Sequence, residues 1–318
     1  MYDRIVVVTR RTRLEELIAR FNTRGQARFY IEHSGQGTGD FDEYEREHDA
    51  YERAVALVHR ATDVGIPRHV IDRDLVPTYT FGERDIVVAV GQDGLVANVA
   101  KYTLERPLLG VNPDPARFDG VLLPFLADGC AHAVASLLES RANVRRVTLA
   151  EARLDDGQRL LAFNDLFIGV HSHVSARYML ARGPARESQS SSGVLVATGA
   201  GSTGWISSVF NMAAGVTALA GGTCGRPIRL EWDDRRLLFA VREPFVSRHS
   251  TAEQIAGILD ANETLRLQSL MPMGGVIFSD GIQSDFLRFD AGAIATVGAS
   301  SNTATLVMSG KRPRRADR

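Results

Sequence analysis

The chain has 318 residues, 44% of them hydrophobic and 24% charged, with a formal net charge of −1. Such a chain is long enough for two domains, has the composition of a folded globular protein, and offers no electrostatic case for nucleic acid or an anionic membrane. Its two cysteines, Cys130 and Cys224, lack ligand-like spacing and point to a reducing cytoplasm, and no apolar run approaches membrane-spanning length.

The opening Met1-Tyr2-Asp3-Arg4 leads into a strand over Ile5–Val8 and does not have the form of a secretion signal. Thr12 is placed to cap a helix, with Glu15 as its capping-box partner and Leu14, Leu17, Ile18 and Phe21 at helical spacing. Arg28–Ile31 reads as a second strand. His33 to Asp40 is Gly-rich, but it lacks the Lys-Ser/Thr ending of a P-loop and the third Gly of a dinucleotide fingerprint, so it reads as a connecting loop. A helix is expected from Tyr44 to about Ala61, and a strand over His69–Ile71.

Val87 to Gly94 is the stretch around which the rest is arranged. Small β-branched residues end in Gly91-Gln92-Asp93-Gly94, and Leu95–Tyr102 then reads as a helix start. A buried parallel strand, a glycine turn and a helix form the corner of an open α/β sheet that faces phosphate, because backbone N–H groups at the helix start point outward. One carboxylate, Asp93, lies in this anion-favouring corner. Phosphates repel it unless a metal bridges them or its task is to accept a proton, so the pattern suggests phosphoryl transfer to a hydroxyl. A plain turn built from common turn residues is the alternative.

Leu108–Val111 is a further buried strand, and Asn112 stands at its carboxyl end, where open parallel sheets bind ligands. Pro113 and Pro115 are expected to hold an extended loop. Ala127–Ser140 reads as a helix. From Val144 the texture changes to short β-like segments: Val144–Arg153, Gln158–Phe163, Leu166–Val170, Gly193–Ala197, Ile228–Trp232, Arg236–Val241 and Thr264–Gln268, with Asp155-Asp156-Gly157 as a turn. The expected division is an α/β nucleotide-binding domain over 1–142, a β-rich domain over 143–308, and a basic disordered tail over 309–318. His171 and His173 share a strand face, but no third ligand is in view, so they read as surface histidines. Arg242 and Arg248 read as exposed loop arginines.

Four stretches taken together resemble the ATP-NAD kinase family: Gly91-Gln92-Asp93-Gly94, Gly110-Val111-Asn112, Asn164-Asp165, and Thr198-Gly199-Ala200-Gly201-Ser202-Thr203-Gly204-Trp205. The resemblance spans roughly residues 5–208, with a weaker match at Ser279-Asp280-Gly281. It implies a Rossmann-like α/β N-terminal domain and a β-rich C-terminal domain. It also implies an ATP-dependent kinase that uses Mg²⁺ and phosphorylates a ribose or sugar hydroxyl of NAD or a related acceptor, as a homo-oligomer. Asp93 is then the base for the attacking hydroxyl, with no protein metal ligand assigned. Gly91, Gln92, Gly94 and Asn112 lie toward phosphate and nucleotide, Asn164 and Asp165 hydrogen-bond the dinucleotide, Gly201, Ser202 and Thr203 lie against it, and Ser208 falls at an adenosine-contacting position. The chain departs from the family at Gln92, which replaces a Gly, at Leu95, which replaces a Thr, and at Ser192, which replaces an Asp expected near the nicotinamide end. These departures motivate an alternative, a catalytically weak or inactive nucleotide-binding regulatory protein. A third reading, an NAD(P)-dependent oxidoreductase, is disfavoured because no Gly-x-Gly-x-x-Gly follows the first strand.

Overall fold

A computed structural model describes residues 2–33 and 41–310. Residues 34–40 of the Gly-rich loop expected over 33–40, and residues 311–318 of the tail expected over 309–318, lie outside the described residues. The chain divides into two compact units, Met1–Arg145 with Thr305–Arg318, and Arg146–Ala304. Among the described residues no helix is long and apolar enough to cross a membrane.

The first unit is a parallel α/β layer. Its strands are β1 (Arg4–Thr9), β2 (Arg68–Asp72), β3 (Asp85–Val90), β4 (Pro107–Asn112) and the short β5 (Phe125–Leu126). The pairing β2–β1–β3–β4 is parallel throughout. Ile5–Val8 and Ile86–Val90 are fully buried, as strands covered on both faces must be. The helices are α1 (Arg13–Phe21), α2 (Arg24–His33), α3 (Phe41–Ala61), α4 (Asp93–Thr103) and α5 (Cys130–Leu138). Thr12 and Glu15 form the expected capping box on α1. Arg28–Ile31, expected as a strand, belongs to α2. Its apolar residues Ala27, Tyr30 and Ile31 have helical spacing, and Thr23 Oγ1 accepts from Gln26 N at the helix start. The segment after Asn112, expected to be extended, turns back: Arg117 N and Phe118 N both donate to Asp114 O.

The second unit stacks two antiparallel layers. Its strands are β6 (Asn143–Leu154), β7 (Arg159–Ala162), β8 (Asp165–Val170), β9 (Ala176–Arg182), β10 (Ala185–Ser191), β11 (Val194–Ala197), β12 (Leu237–Val241), β13 (Ala256–Leu259), β14 (Leu265–Ser269), β15 (Gly275–Ser279), β16 (Ile282–Arg288) and β17 (Ile294–Met308), with one long helix, α6 (Trp205–Leu219). One layer has the order β13–β12–β11–β8–β15–β16, and the other contains β10–β9–β14–β17. Leu166, Ile168, Val194, Val196 and Phe239 from the first meet Tyr178, Leu180, Leu265 and Leu267 from the second in a common core. Ile228–Trp232, expected as a strand, joins neither layer. Of its residues Leu230 is buried, and Trp232 O accepts from Thr148 N. The last residues of β17 fall in the first unit, where Thr305 and Leu306 pair in parallel with Pro107 and Leu108.

Candidate active site

In the first unit the glycine turn closes β3 and opens α4. Gln92 has the extended backbone of an N-cap, makes no side-chain cap bond, and is exposed. Its carbonyl accepts from Leu95 N and Val96 N, which starts the helix. Gln92, Asp93 and Gly94 therefore sit where helical N–H groups are unspent, while the Gly91 N–H donates to Val111 O. A Cβ on Gly91 would lie 2.8 Å from Leu95 Cδ2, so Leu95 is core packing beneath the turn rather than a lost hydroxyl contact.

Asp93 is the first helical residue and is half-buried. Its Oδ1 accepts from Leu122 N at 2.6 Å. Gly110 explains why Leu122 comes so near, because a Cβ there would fall 2.0 Å from Leu122 O. Only glycine lets this backbone cross β4 so closely. Asn112 holds the same loop from its other end: its Oδ1 accepts from Asp114 N and its Nδ2 donates to Phe118 O, both at 3.0 Å. With its side chain 5% exposed, Asn112 shapes the loop that orients Asp93.

Sequence reading missed Arg10, which follows β1. Its guanidinium lies over the Tyr51 ring, 5.0 Å from the centroid, and Nη2 bonds Glu47 Oε1 at 3.1 Å. Its Nε is buried without a hydrogen-bond partner, and a Cβ on Gly91 would stand 3.6 Å from it. A buried cation thus flanks the turn. Burial pushes the Glu47 carboxyl up, but hydrogen bonds and charge from Arg13 and Arg10 outweigh that and leave it below the usual range. A second cluster, Glu15, His48 and Glu52, is close enough to share a cation. Its Glu15 and His48 are already spent on Thr12, as cap and hydroxyl partners.

In the second unit the remaining expected residues gather at one end of β8 and β11. The Asp280 carboxylate accepts three backbone N–H groups in a row, from Phe163 at 3.1 Å, Asn164 at 2.6 Å and Asp165 at 3.4 Å. Thr198 Oγ1 donates to Phe163 O at 2.5 Å and accepts from Gly201 N at 3.2 Å. A Cβ on Gly201 would meet Asn164 O at 2.0 Å, which locks the Asn164-Asp165 corner against the Thr198–Thr203 segment. That segment is a 3-10 turn, Ala200–Thr203, rather than a slack loop. Ser202 is buried, with its hydroxyl donating to Gly199 O, while Thr203 is exposed. Ser208 is exposed on α6. Asp165 is 6% exposed, and burial, with the Asp280 charge behind it, pushes its carboxyl up to about 7.

Each unit carries its own chemistry. One is a carboxylate oriented by an N–H at an anion-favouring helix start. The other is a corner braced by backbone hydrogen bonds that holds a buried carboxyl poised near neutrality. No family model matches the chain. A curated NAD kinase of Thermomicrobium roseum is 28% identical over 147 residues, 45% of this chain and 48% of that protein, so the chain spans about half the length of the curated relative it matches. The crystal structure of an NAD kinase from Archaeoglobus fulgidus in complex with ATP aligns with a TM-score of 0.53 at 17% identity, covering 97% of this chain and 94% of that one. Yeast NADH kinase complexed with NADH aligns with a TM-score of 0.54 at 18% identity, covering 97% and 84%. The chain has the fold of these NAD kinases and shares a stretch of sequence with one of that name.

Proposed function

We propose that the protein is an ATP-dependent kinase that transfers the γ-phosphoryl group to a ribose hydroxyl of NAD or a closely related acceptor. The observation that carries this reading is Asp93, a carboxylate aimed by Leu122 N–H at the start of α4. With Oδ1 held, Oδ2 is the oxygen that takes the proton as the acceptor hydroxyl forms its bond to phosphorus. The bond from that phosphorus to the bridging oxygen breaks, and ADP leaves. The N–H groups of Gln92 to Gly94 and the buried Arg10 cation favour the phosphates, since positioning and charge neutralisation dominate such transfers. Asn164, Asp165 and the Gly201–Thr203 turn hold the acceptor dinucleotide, and exposed Ser208 lies toward its adenosine. The likeness to structures that hold ATP and NADH supports both ligands.

Mg²⁺ is compatible with this turn as an ion carried by the substrate phosphates, since it keeps several waters and needs few protein ligands, and no residue of the chain is assigned to it. When bound with ATP it neutralises phosphate charge. The resemblance further supports a homo-oligomer, and the free thiols Cys130 and Cys224 suit a cytoplasmic location. The regulatory alternative rested on Gln92 and Leu95, yet the Gln92 side chain leaves the cap open and Leu95 is core. The test is incubation with Mg²⁺, labelled ATP and a panel of NAD, NADH, nucleosides and sugars. Label in a dinucleotide supports the reading, and no labelled product with any acceptor overturns it.

A further inference from the structure

Side chains two apart on a strand share a face. On one face of the second unit, Asp165 is followed along β8 by Phe167 and Gly169. Ala197, Leu195 and Gly193 run beside them, with Asp165 opposite Ala197 and Phe167 opposite Leu195. The two glycines have a shared purpose. A Cβ on Gly169 would fall 2.6 Å from the Phe167 ring, and one on Gly193 2.7 Å from it. Their absence of side chains lets the Phe167 ring lie flat over the sheet. Trp205 stacks on it at 5.6 Å between centroids and 9° between planes, and Phe278 at 4.8 Å and 29°. This aromatic shelf begins beyond Asp165 and ends at a cleft of about 730 Å³. Five residues of strand rise separate Asp165 from Val170 at the cleft, roughly 16 Å, which suits the two ends of an extended dinucleotide.

The charge of the cleft is as informative as its shape. Arg242 caps the Trp205 ring at 5.3 Å from the centroid, so the π-face that attracts cations is already taken. Glu243 is the carboxylate in the lining, and it lies 3.6 Å from Arg242. His171 and His173 are exposed at the rim and carry no negative charge. Ser192 and Gln283 add neutral hydrogen-bonding groups.

We infer that this cleft seats a planar heteroaromatic ring that is neutral or anionic, and that it makes the protein select the uncharged reduced nicotinamide over the pyridinium cation of the oxidised form. The inference rests on the dinucleotide reading above. The ring packs against the aromatic shelf, and Ser192 and Gln283 meet the carboxamide. A pyridinium placed beside Arg242 meets a like charge, and Glu243, the carboxylate among the lining residues, is already drawn to that arginine. Glycine-floored packing of Phe167 fixes the shelf before any ligand arrives.

The test is calorimetry on the full chain with NADH, NAD⁺ and AMP. Wild type is expected to bind NADH about tenfold more tightly than NAD⁺, the scale of one screened charge contact. Ser192→Asp places a carboxylate in the cleft and is expected to erase or invert that ratio. Arg242→Gln is expected to narrow it. AMP affinity should stay at the wild-type value in both variants, which shows that the fold and the Asn164-Asp165 corner are intact. Equal affinities in wild type, or a ratio that neither variant moves, overturn the inference while leaving a dinucleotide kinase standing if either dinucleotide is phosphorylated. Failure of both dinucleotides to bind, with no labelled product from the acceptor panel, removes the kinase reading and this inference together.

Discussion

Asp93 and Asp165 show how environment divides the labour of two identical side chains. Asp93 is half-buried, and its Oδ1 is held by the Leu122 backbone N–H. Asp93→Asn keeps the shape, since an amide oxygen also accepts from Leu122 N, and removes only the capacity to take a proton. We expect kcat to fall by about 10²–10⁴, the usual worth of a positioned base, with nucleotide affinity equal or tighter because a negative charge beside phosphates is gone. Steady-state kinetics with the best acceptor of the panel decides it, and near-wild-type turnover would place the base elsewhere. At the other corner, replacing Asn164 and Asp165 together by Ala should weaken dinucleotide binding by about 1–3 kcal/mol, the range for hydrogen bonds with a charged partner. Unchanged affinity in calorimetry would remove that corner from the binding site. The placement of Asp93 at a strand-to-helix turn was legible in sequence because an apolar run ends at Gly-x-Asp-Gly. Arg10 was not, because Arg10-Arg11-Thr12-Arg13 looks like a solvated charge run until α3 supplies Glu47 and Tyr51. Leu122 was not either, because it acts through a backbone N–H that leaves no side-chain signature.

At the level of elements, glycine crossings position the first unit's chemistry. Gly110 lets the Leu122 backbone pass over β4, and that passage aims Asp93. Gly110→Ala forces Cβ into Leu122 O. We expect a destabilisation of about 1–3 kcal/mol, the cost of overpacking, with kcat reduced as well, since the N–H leaves the carboxylate. Urea unfolding beside kinetics checks both, and a variant with unchanged midpoint and unchanged kcat would show that Asp93 needs no such support. Strands with continuous apolar runs were readable from the sequence: Ile5–Val8, Val87–Val90 and Leu108–Val111 all fall inside parallel strands. Short windows misled where length decides. Arg28–Ile31 looks β-like over four residues, but Ala27, Tyr30 and Ile31 show helical spacing once the window widens. Ile228–Trp232 has β-like composition, yet Ile228 is exposed and Glu231 O passes the position of a Gly199 Cβ at 1.8 Å, so the segment runs past the turn instead of along a strand. Helix α6 went unread because Trp205–Leu219 holds no charged residue and its cap, Gly204, makes no side-chain bond. Without a polar face there is no period to detect.

For the molecule as a whole, the same titrating groups set a stability profile whose slope changes sign. Burial pushes the Glu187 carboxyl up, but hydrogen bonds from Thr251, Gln254, Glu253 and Gln189 more than offset this, and it lies below the usual range, as Glu47 does. A carboxyl whose folded pKa is depressed contributes stability that is present above its unfolded value of 4.5 and is lost as pH falls through the folded one. Asp165 works in the opposite sense. Its pKa rises from 3.8 in the unfolded chain to about 7 in the fold, so between those values the native state holds a proton that the unfolded state has released. Stability therefore falls as pH rises through that window and levels off above about 7. At about 1.36 kcal/mol per unit, the shift from 3.8 to about 7 is worth on the order of 4 kcal/mol. The ligand-free protein should thus be most stable near pH 4.5–5, above the acid loss from Glu47 and Glu187 and before the Asp165 loss is far advanced. Asp165→Asn carries no charge to bury, so it should raise stability at pH 8, flatten the decline between pH 5 and 7, and leave the acid limb in place, while dinucleotide affinity drops. Denaturant melts of both proteins from pH 4 to 9 measure this. A wild-type profile that rises steadily to pH 8, or a variant that declines in parallel with it, would mean that Asp165 is ionised at no cost in the fold and that its burial is offset by partners other than a proton.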